Sequence, residues 1–411
     1  MVQEPVEIVA VPADPLCDAS CVRDLAQRFF LWDVYVGGHR RVEASPLVLS
    51  PEMHEQAARV AEGVVRAVGG AAARAHADER ERAHYRFDAD TIRLAAASHA
   101  AGDDASLMRV DLLLDRTGRW RACEINADCP GGHNETVGLP RLARAAGFGG
   151  GRDPSVVVEG LVARLEAMAG GGTVGIIYAT GYAEDLQVCA LVARTLAARG
   201  TRSILAPPTA PSLRGDDLFL RGQRVLALYR YFPIEWMSGQ RNIDAIARAV
   251  ERGRVQSLTS FAHAFTQSKV AFARCWETSR DGDVVREWLP ETHAVEDVDR
   301  ALLVSRRADW VVKRAMGRVG DEVFVGPLFE HDGEWDAVVE QVRARAARGE
   351  AWIAQRFVPQ RPVATPWGPR LVTLGVYVLD GRFAGYFARV TPRSHVSHEA
   401  LCVPVFTRSA A

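Results

Sequence analysis

The sequence predicts a multi-layer α/β fold, and three observations predict it. An apolar run followed by an amphipathic segment, "TVGIIYATGYAEDLQVCALVARTLAARG" (173–200), reads as a β-α unit of a parallel sheet. "RVDLLLDRTGRWRACEIN" (109–126) changes to period two on either side of an Asp-Arg-Thr-Gly turn, which reads as a hairpin. The last third alternates strand and helix patterns.

The elements follow in order. Before the hairpin the chain reads as mainly helical. "SPEMHEQAARVAEGVVRAVGG" (50–70) places Ser50 at an N-cap, Pro51 at the first helical position, Met53, Ala57, Val60, Val64 and Val68 at helical spacing, and Gly69 as the stop. The glycine-rich stretches "GFGGGRD" (147–153) and "AGGGT" (169–173) read as joints around one helical segment, Ser155 to Ala169. In the β-α unit Leu186, Cys189, Ala193 and Leu196 share a helix face that Gly200 ends. "RVLALYRYFPIEWM" (224–237) is a strand ending in an aromatic loop, and "DWVVKRAMG", "EWDAVVEQVRARAARG" and "AWIAQRFVPQ" (between 309 and 360) read as strand, helix and strand. "RLVTLGVYVLDGRFAGYFARV" (370–390) is a hairpin with an Asp380-Gly381 turn. Three regions result: 1–168, helical with the hairpin; 169–255, α/β; and 256–411.

Composition limits the function. A chain of 411 residues with 48% hydrophobic content can bury substantial cores, and a net charge of -1 with Arg scattered among acids offers no field for nucleic acid. The amino terminus lacks a basic start and an apolar run, and no membrane span is expected, so the cytoplasm is the expected compartment. Seven cysteines do not form a secreted framework, and Cys123, Cys129 and His133 lack a second pair to close a zinc site. His133 reads as a polar loop histidine. Assembly is left open, a homodimer included.

Of 50 basic side chains only Lys269 and Lys313 are lysine. An ammonium is a compact, rotatable point charge suited to phosphate oxygens, whereas guanidinium is a planar fork. Composition alone leaves chance survival open, so context must decide. There is no Walker loop and no dinucleotide fingerprint. Lys313 instead follows a short strand and precedes "RAMGRVGD", where Gly317 and Gly320 could bring backbone N–H groups close to an anion. If the 109–126 turn closes with an even loop, Arg109, Asp111, Glu124 and Asn126 project from one face. That oxygen set suits Mg²⁺, although a solvated strand face is the commoner meaning of such a pattern.

Together these pieces resemble the ligase part of glutathionylspermidine synthase, in the ATP-grasp superfamily, from about Arg109 to Phe406. The family's "RxDxxxD…G…EYNADTPTSLLE" is similar to "RVDLLLDRTGRWRACEINADCPGGHNE", with Arg109, Asp111, Glu124, Asn126, Asp128, Pro130 and Glu135 in matching places. "KLYPWEWM" resembles "RYFPIEWM" with Glu235, and an Asn-Lys motif resembles "QSK" with Lys269. "KPxxGREG" resembles "KRAMGRVG" with Lys313, Gly317, Arg318 and Gly320, and "IQE" resembles "IAQRF" with Gln355.

The resemblance implies an ATP-grasp-like fold whose metal hairpin precedes the ATP lysines, a permuted order. It implies ATP and Mg²⁺ as cofactors, and a carboxylate–amine ligase that forms an amide through an acyl phosphate and releases ADP. Lys269, Lys313, Gly317, Gly320 and Gln355 would hold ATP, and Asp111, Glu124 and Asn126 the metal. Arg109, Arg318 and Arg389 would act on the carboxylate and its developing charge, and Glu235, Asp128 and Glu135 on the amine. Arg314 replaces the family's Pro, Val319 replaces its acidic lid residue, and a chain of this length is not expected to carry a separate amidase domain. Glutathione and spermidine are therefore not the expected substrates; an amino acid or small peptide is. Two rivals stay open: a small-molecule kinase using the same cradle, and a nucleotide-binding regulatory module without turnover.

Overall fold

The computed structural model describes residues 4–240, 242–318, 320, 322–394 and 400–409. Val319 of the lid therefore lies outside the described residues. Among these residues no helix is long and apolar enough to cross a membrane.

Helix α1 (Pro51–Ala77) begins as its sequence predicts, with the Ser50 hydroxyl accepting from the Met53 N–H. It does not stop at Gly69. Two helical glycines cost about 1 kcal/mol each relative to alanine. Beyond them the buried stripe resumes at Ala71, Ala72 and Ala75, and the His76 ring meets Phe265 edge-on, so packing carries the helix to Ala77.

The expected hairpin is present as β1 (Leu107–Leu114) and β2 (Trp120–Asn126). Helix α2 (His133–Ala145) follows, then α3 (Val157–Ala169). A parallel sheet comes next, built from β3 (Val174–Tyr178), β4 (Ser203–Ala206), β5 (Ala227–Tyr231) and β6 (Gln256–Leu258) in the order β6-β5-β3-β4. Helix α4 (Ala183–Ala198) links β3 to β4. The chain leaves β3 for a neighbour on one side and later adds β5 on the other. That reversal opens a crevice at the carboxyl ends of β3 and β5.

An antiparallel sheet of β7 (Thr292–Ala294), β8 (Trp310–Arg314), β9 (Val323–Val325) and β10 (Trp352–Arg356) runs in the order β7-β10-β8-β9. Helix α5 (Asp332–Ala347) buries Trp335, Val339 and Val342 in the core it shares with Trp310 and Trp352 of that sheet. Finally β11 (Leu371–Leu379), β12 (Arg382–Thr391) and β13 (Leu401–Val403) join the first hairpin in a five-stranded antiparallel sheet, β13-β12-β11-β1-β2. The turn at Asp380-Gly381 has both residues at positive φ, 45° and 80°, the geometry that suits a two-residue hairpin. The large sheet thus draws strands from both the first and the last of the three sequence regions. The hairpin is held in place by the carboxyl-terminal strands.

Candidate functional site

The four hairpin residues do share a face, although the condition set for it fails. Arg109 stands opposite Asn126 and Asp111 opposite Glu124. The innermost pair is Leu114–Trp120, so the loop Asp115–Arg119 holds an odd number of residues. A bulge at Cys123 restores the parity, because Leu112 pairs with Ala122 while Asp111 pairs with Glu124. The extra residue also redirects a carbonyl: Lys313 Nζ on β8 donates to the Cys123 carbonyl at 3.1 Å.

These side chains face a cavity of about 800 Å³ whose lining also includes Glu135, Lys313, Arg318, Gly320, Gln355 and Arg389. Lys269 lies just beneath its wall, 3% exposed, with Nζ 3.3 Å from Glu124 Oε1 and donating to the Gly317 carbonyl at 2.8 Å. Lys313 is 7% exposed and donates to Gln355 Oε1 at 2.8 Å. Burial lowers its pKa, and the Lys269 charge works in the same direction against the pull of Glu124. Two ammonium groups from distant sequence positions therefore converge on the same bulged stretch of β2, Lys269 on the Glu124 carboxylate and Lys313 on the Cys123 carbonyl. Gln355 is committed twice, since its amide also donates to Thr292 Oγ1 at 3.1 Å.

Asp111 sits between two guanidinium groups. Arg109 donates to it from Nε (2.7 Å) and Nη2 (3.0 Å), and Arg389 from Nη2 (2.8 Å). Burial favours its neutral form, yet the two positive charges outweigh burial and hold its pKa below the ordinary value. Among the described residues no group of three His, Cys, Asp or Glu side chains is arranged to hold a metal. Asp111 is occupied by its arginines, whereas Glu124 and Asn126 face the cavity and the Asn126 Nδ2 is buried without a partner among the described residues. Two such oxygens are not a complete protein cage and could serve only a cation that brings most of its other ligands with it.

Of the two lid glycines expected to offer N–H groups, Gly317 departs from the expectation. The Gly317 N–H closes a turn onto the Arg314 carbonyl, while Gly320, at φ 75°, lines the cavity. Arg318 reaches across to Glu235 with Nε at 2.7 Å and Nη2 at 3.0 Å, and to Asp128 Oδ2 at 3.1 Å. In this arrangement Arg318 and Glu235 neutralise each other. Asp128 does not line the cavity: it is fully buried, ion-paired with Arg230, and accepts from the Ile234 N–H at 2.9 Å. Arg230 is itself 1% exposed and stacks over Phe261. Asp128 thereby anchors the end of the hairpin to β5 and the loop after it. Asp128→Asn is expected to lower the free energy of unfolding by about 3–5 kcal/mol, because Arg230 would keep a buried charge without its partner. Glu235→Gln, at a partly exposed ion pair whose Arg318 keeps Asp128 as a second partner, should cost about 1 kcal/mol or less. Denaturant titrations compare the two, and equal losses would refute the anchoring role.

Another part of the cavity lining is acidic. Asp33, Glu135 on α2 and Glu184 in the first turn of α4 surround Arg41, which contacts Asp33 and lies 3.5 Å from Glu184 and 3.8 Å from Glu135, and Asp185 beside Glu184 also lines the cavity. Burial pushes Asp185 up to about 6 and raises Glu135. Tyr182 and Trp236 stack at the rim, ring centroids 6.2 Å apart. Arg41, Asp33 and Tyr182 are absent from the sequence-based set. For α4 a signal existed, since its first turn follows β3 at the sheet's switch point, where ligands gather. Asp33 and Arg41 flank the small hairpin Tyr35–Val36/His39–Arg40 and follow no pattern that local sequence displays. His133 is not a solvated loop residue. It begins α2 wholly buried against Tyr231 and Tyr377, and burial pulls its pKa down to about 3. A ring that stays neutral behind the cavity wall packs; it is not placed to take a substrate proton.

No curated protein matches the chain. Among solved structures, the crystal structure of D-cycloserine synthetase DcsG matches over 45% of this chain and 59% of that one, with 14% identity and a TM-score of 0.31. The family model described as glutathionylspermidine synthase preATP-grasp matches residues 26–406, and the chain belongs to that family.

Proposed function

We propose that the protein is an ATP-dependent carboxylate–amine ligase that forms an amide through an acyl phosphate, releasing ADP and phosphate. The observation that carries this reading is the convergence of Lys269 on Glu124 and of Lys313 on the adjacent Cys123 carbonyl, at the wall of a cavity that also holds Arg389 and Arg109. Family membership supports it. Phosphoryl transfer needs positioning and charge neutralisation more than a protein nucleophile, and the site is rich in cations.

In this mechanism the two lysines give up their present contacts, the Gly317 and Cys123 carbonyls, to hold ATP phosphates. Glu124 and Asn126 would hold Mg²⁺, which supplies charge neutralisation across the β- and γ-phosphates. Because the Gln355 side chain is already bonded to Lys313 and Thr292, it positions the lysine, and contact with the adenine falls to the backbone beyond β10 at Phe357 and Val358, which line the cavity. A substrate carboxylate oxygen attacks the γ-phosphorus and the bond to ADP breaks. An amine nitrogen then attacks the acyl carbon, phosphate leaves and the amine loses a proton. Arg389 orients the carboxylate, and Arg109 faces the charge on the acyl phosphate. Arg318 exchanges Glu235 for substrate, which frees Glu235 towards the amine. The donor is an amino acid or small peptide.

The test is incubation with ATP, Mg²⁺, pooled amino acids and hydroxylamine, followed by mass analysis. ADP together with a hydroxamate is expected. AMP would overturn the acyl-phosphate route, and ADP with a stable phosphorylated product would favour a kinase.

A further inference from the structure

Two charged groups of the cavity are left under-compensated, and they have opposite signs. Arg389 spends Nη2 on Asp111, while its buried Nε has no partner among the described residues. Glu135 is 8% exposed, and its carboxylate accepts a hydrogen bond from no other described residue; its nearest cation, Arg41 Nη2, stands at 3.8 Å and is shared with Asp33 and Glu184. Both line the cavity. The elements that carry them pack together, α2 with Glu135 against β12 with Arg389. Arg389 pairs with Cys402 across β12 and β13, and burial pushes the Cys402 thiol up to about 12 with the Glu135 charge adding to the rise and the Arg41 and Arg389 charges opposing it.

A buried charge without a partner is costly. A simple carboxylate bound at Arg389 would leave Glu135 uncompensated and add a second negative charge near it. A peptide would bring its carboxylate with an uncharged amide nitrogen alongside. A zwitterion compensates both groups at once. We infer that the carboxylate donor is a free amino acid bound as its zwitterion, its carboxylate against Arg389 and its ammonium against Glu135. This narrows the ligase reading and rests on it. The group that ends in the amide is the donor's carboxylate, and its own amine is held as a cation, which cannot attack while protonated.

The experiment compares hydroxamate formation, with ATP, Mg²⁺ and hydroxylamine, from the common free amino acids and from the same acids N-acetylated. Hydroxamates from the free pool alone are expected. For the amino acid so identified, Glu135→Gln should raise KM roughly 10–100-fold, the worth of one charge-assisted contact, with KM for ATP unchanged. Glu135→Asp, which keeps the charge, should recover part of that loss, and a thermal melt of each variant separates lost recognition from lost folding. Comparable kcat/KM for an N-acetylated acid, or an unchanged KM for the amino acid in Glu135→Gln, would overturn the zwitterion site and leave the ligase standing. Absence of hydroxamate from both pools would overturn the site together with the ligase reading.

Discussion

Lys313→Arg is expected to lower kcat roughly 10²–10³-fold although it preserves the charge, the scale of loss when one preorganised contact to developing charge is removed. The reason is shape. Lys313 leaves the middle of a four-stranded sheet, is 7% exposed, and ends in a slot bounded by the Cys123 carbonyl at 3.1 Å and Gln355 Oε1 at 2.8 Å. An ammonium fits there because it is compact and can aim each of its donors as its partners change. A guanidinium is wider and planar, and overfilling a packed site typically costs about 1–3 kcal/mol before chemistry is considered. The chain is otherwise almost wholly arginine in its basic residues, so a generic positive charge at this position would have been met by Arg. Steady-state kinetics with ATP and the amino acid identified by hydroxamate trapping measure the effect, and calorimetry of ATP binding separates binding from turnover. Near-normal kcat in Lys313→Arg would remove the lysine from the phosphate site.

What the sequence displays locally is what it allowed to be read. The facing of Arg109, Asp111, Glu124 and Asn126 follows from period two, but the odd loop and the Cys123 bulge that cancel each other are a one-residue device with no signature of their own. Gly69 looks like a helix stop because glycine is a poor helix former. The continuation to Ala77 is decided by alanines packing on segments far away in sequence. The acidic part of the cavity lining was hidden for the same reason. Asp33, Arg41, Glu135 and Glu184 lie in three separate stretches of chain, and only the fold brings them around one space. Asp128 shows the converse: its place in a family pattern pointed to a substrate, whereas its surroundings, Arg230, the Ile234 N–H and Arg318, saturate its oxygens.

Asp111→Asn is expected to lower stability by about 3–5 kcal/mol, the cost of breaking a buried ion pair from one side. The hydrogen-bonded triad Arg109–Asp111–Arg389 spans β1 and β12, on either side of β11, so one carboxylate is shared between two guanidinium charges. An amide would leave both under-compensated. The pH dependence gives the sign. Burial raises the Asp111 pKa, but the arginines overcome it and the folded value lies below the ordinary carboxylate value of about 4. The contribution is therefore fully present above pH ~4 and is lost as pH falls through the depressed value. The stability gap between the wild type and Asp111→Asn should narrow across that acid range and stay constant above it. Glu124→Gln supplies the contrast. Glu124 is partly open, but the one cation close to it, Lys269 at 3.3 Å, is buried and keeps the Gly317 carbonyl, so its loss should cost less than that of Asp111, about 1–3 kcal/mol, while weakening the Mg²⁺ dependence of turnover. Denaturant titrations at several pH values and Mg²⁺ titrations of rate test the pair. An Asp111→Asn protein as stable as the wild type would show that the triad does not hold the sheet, and unaltered Mg²⁺ dependence in Glu124→Gln would move the metal away from the hairpin.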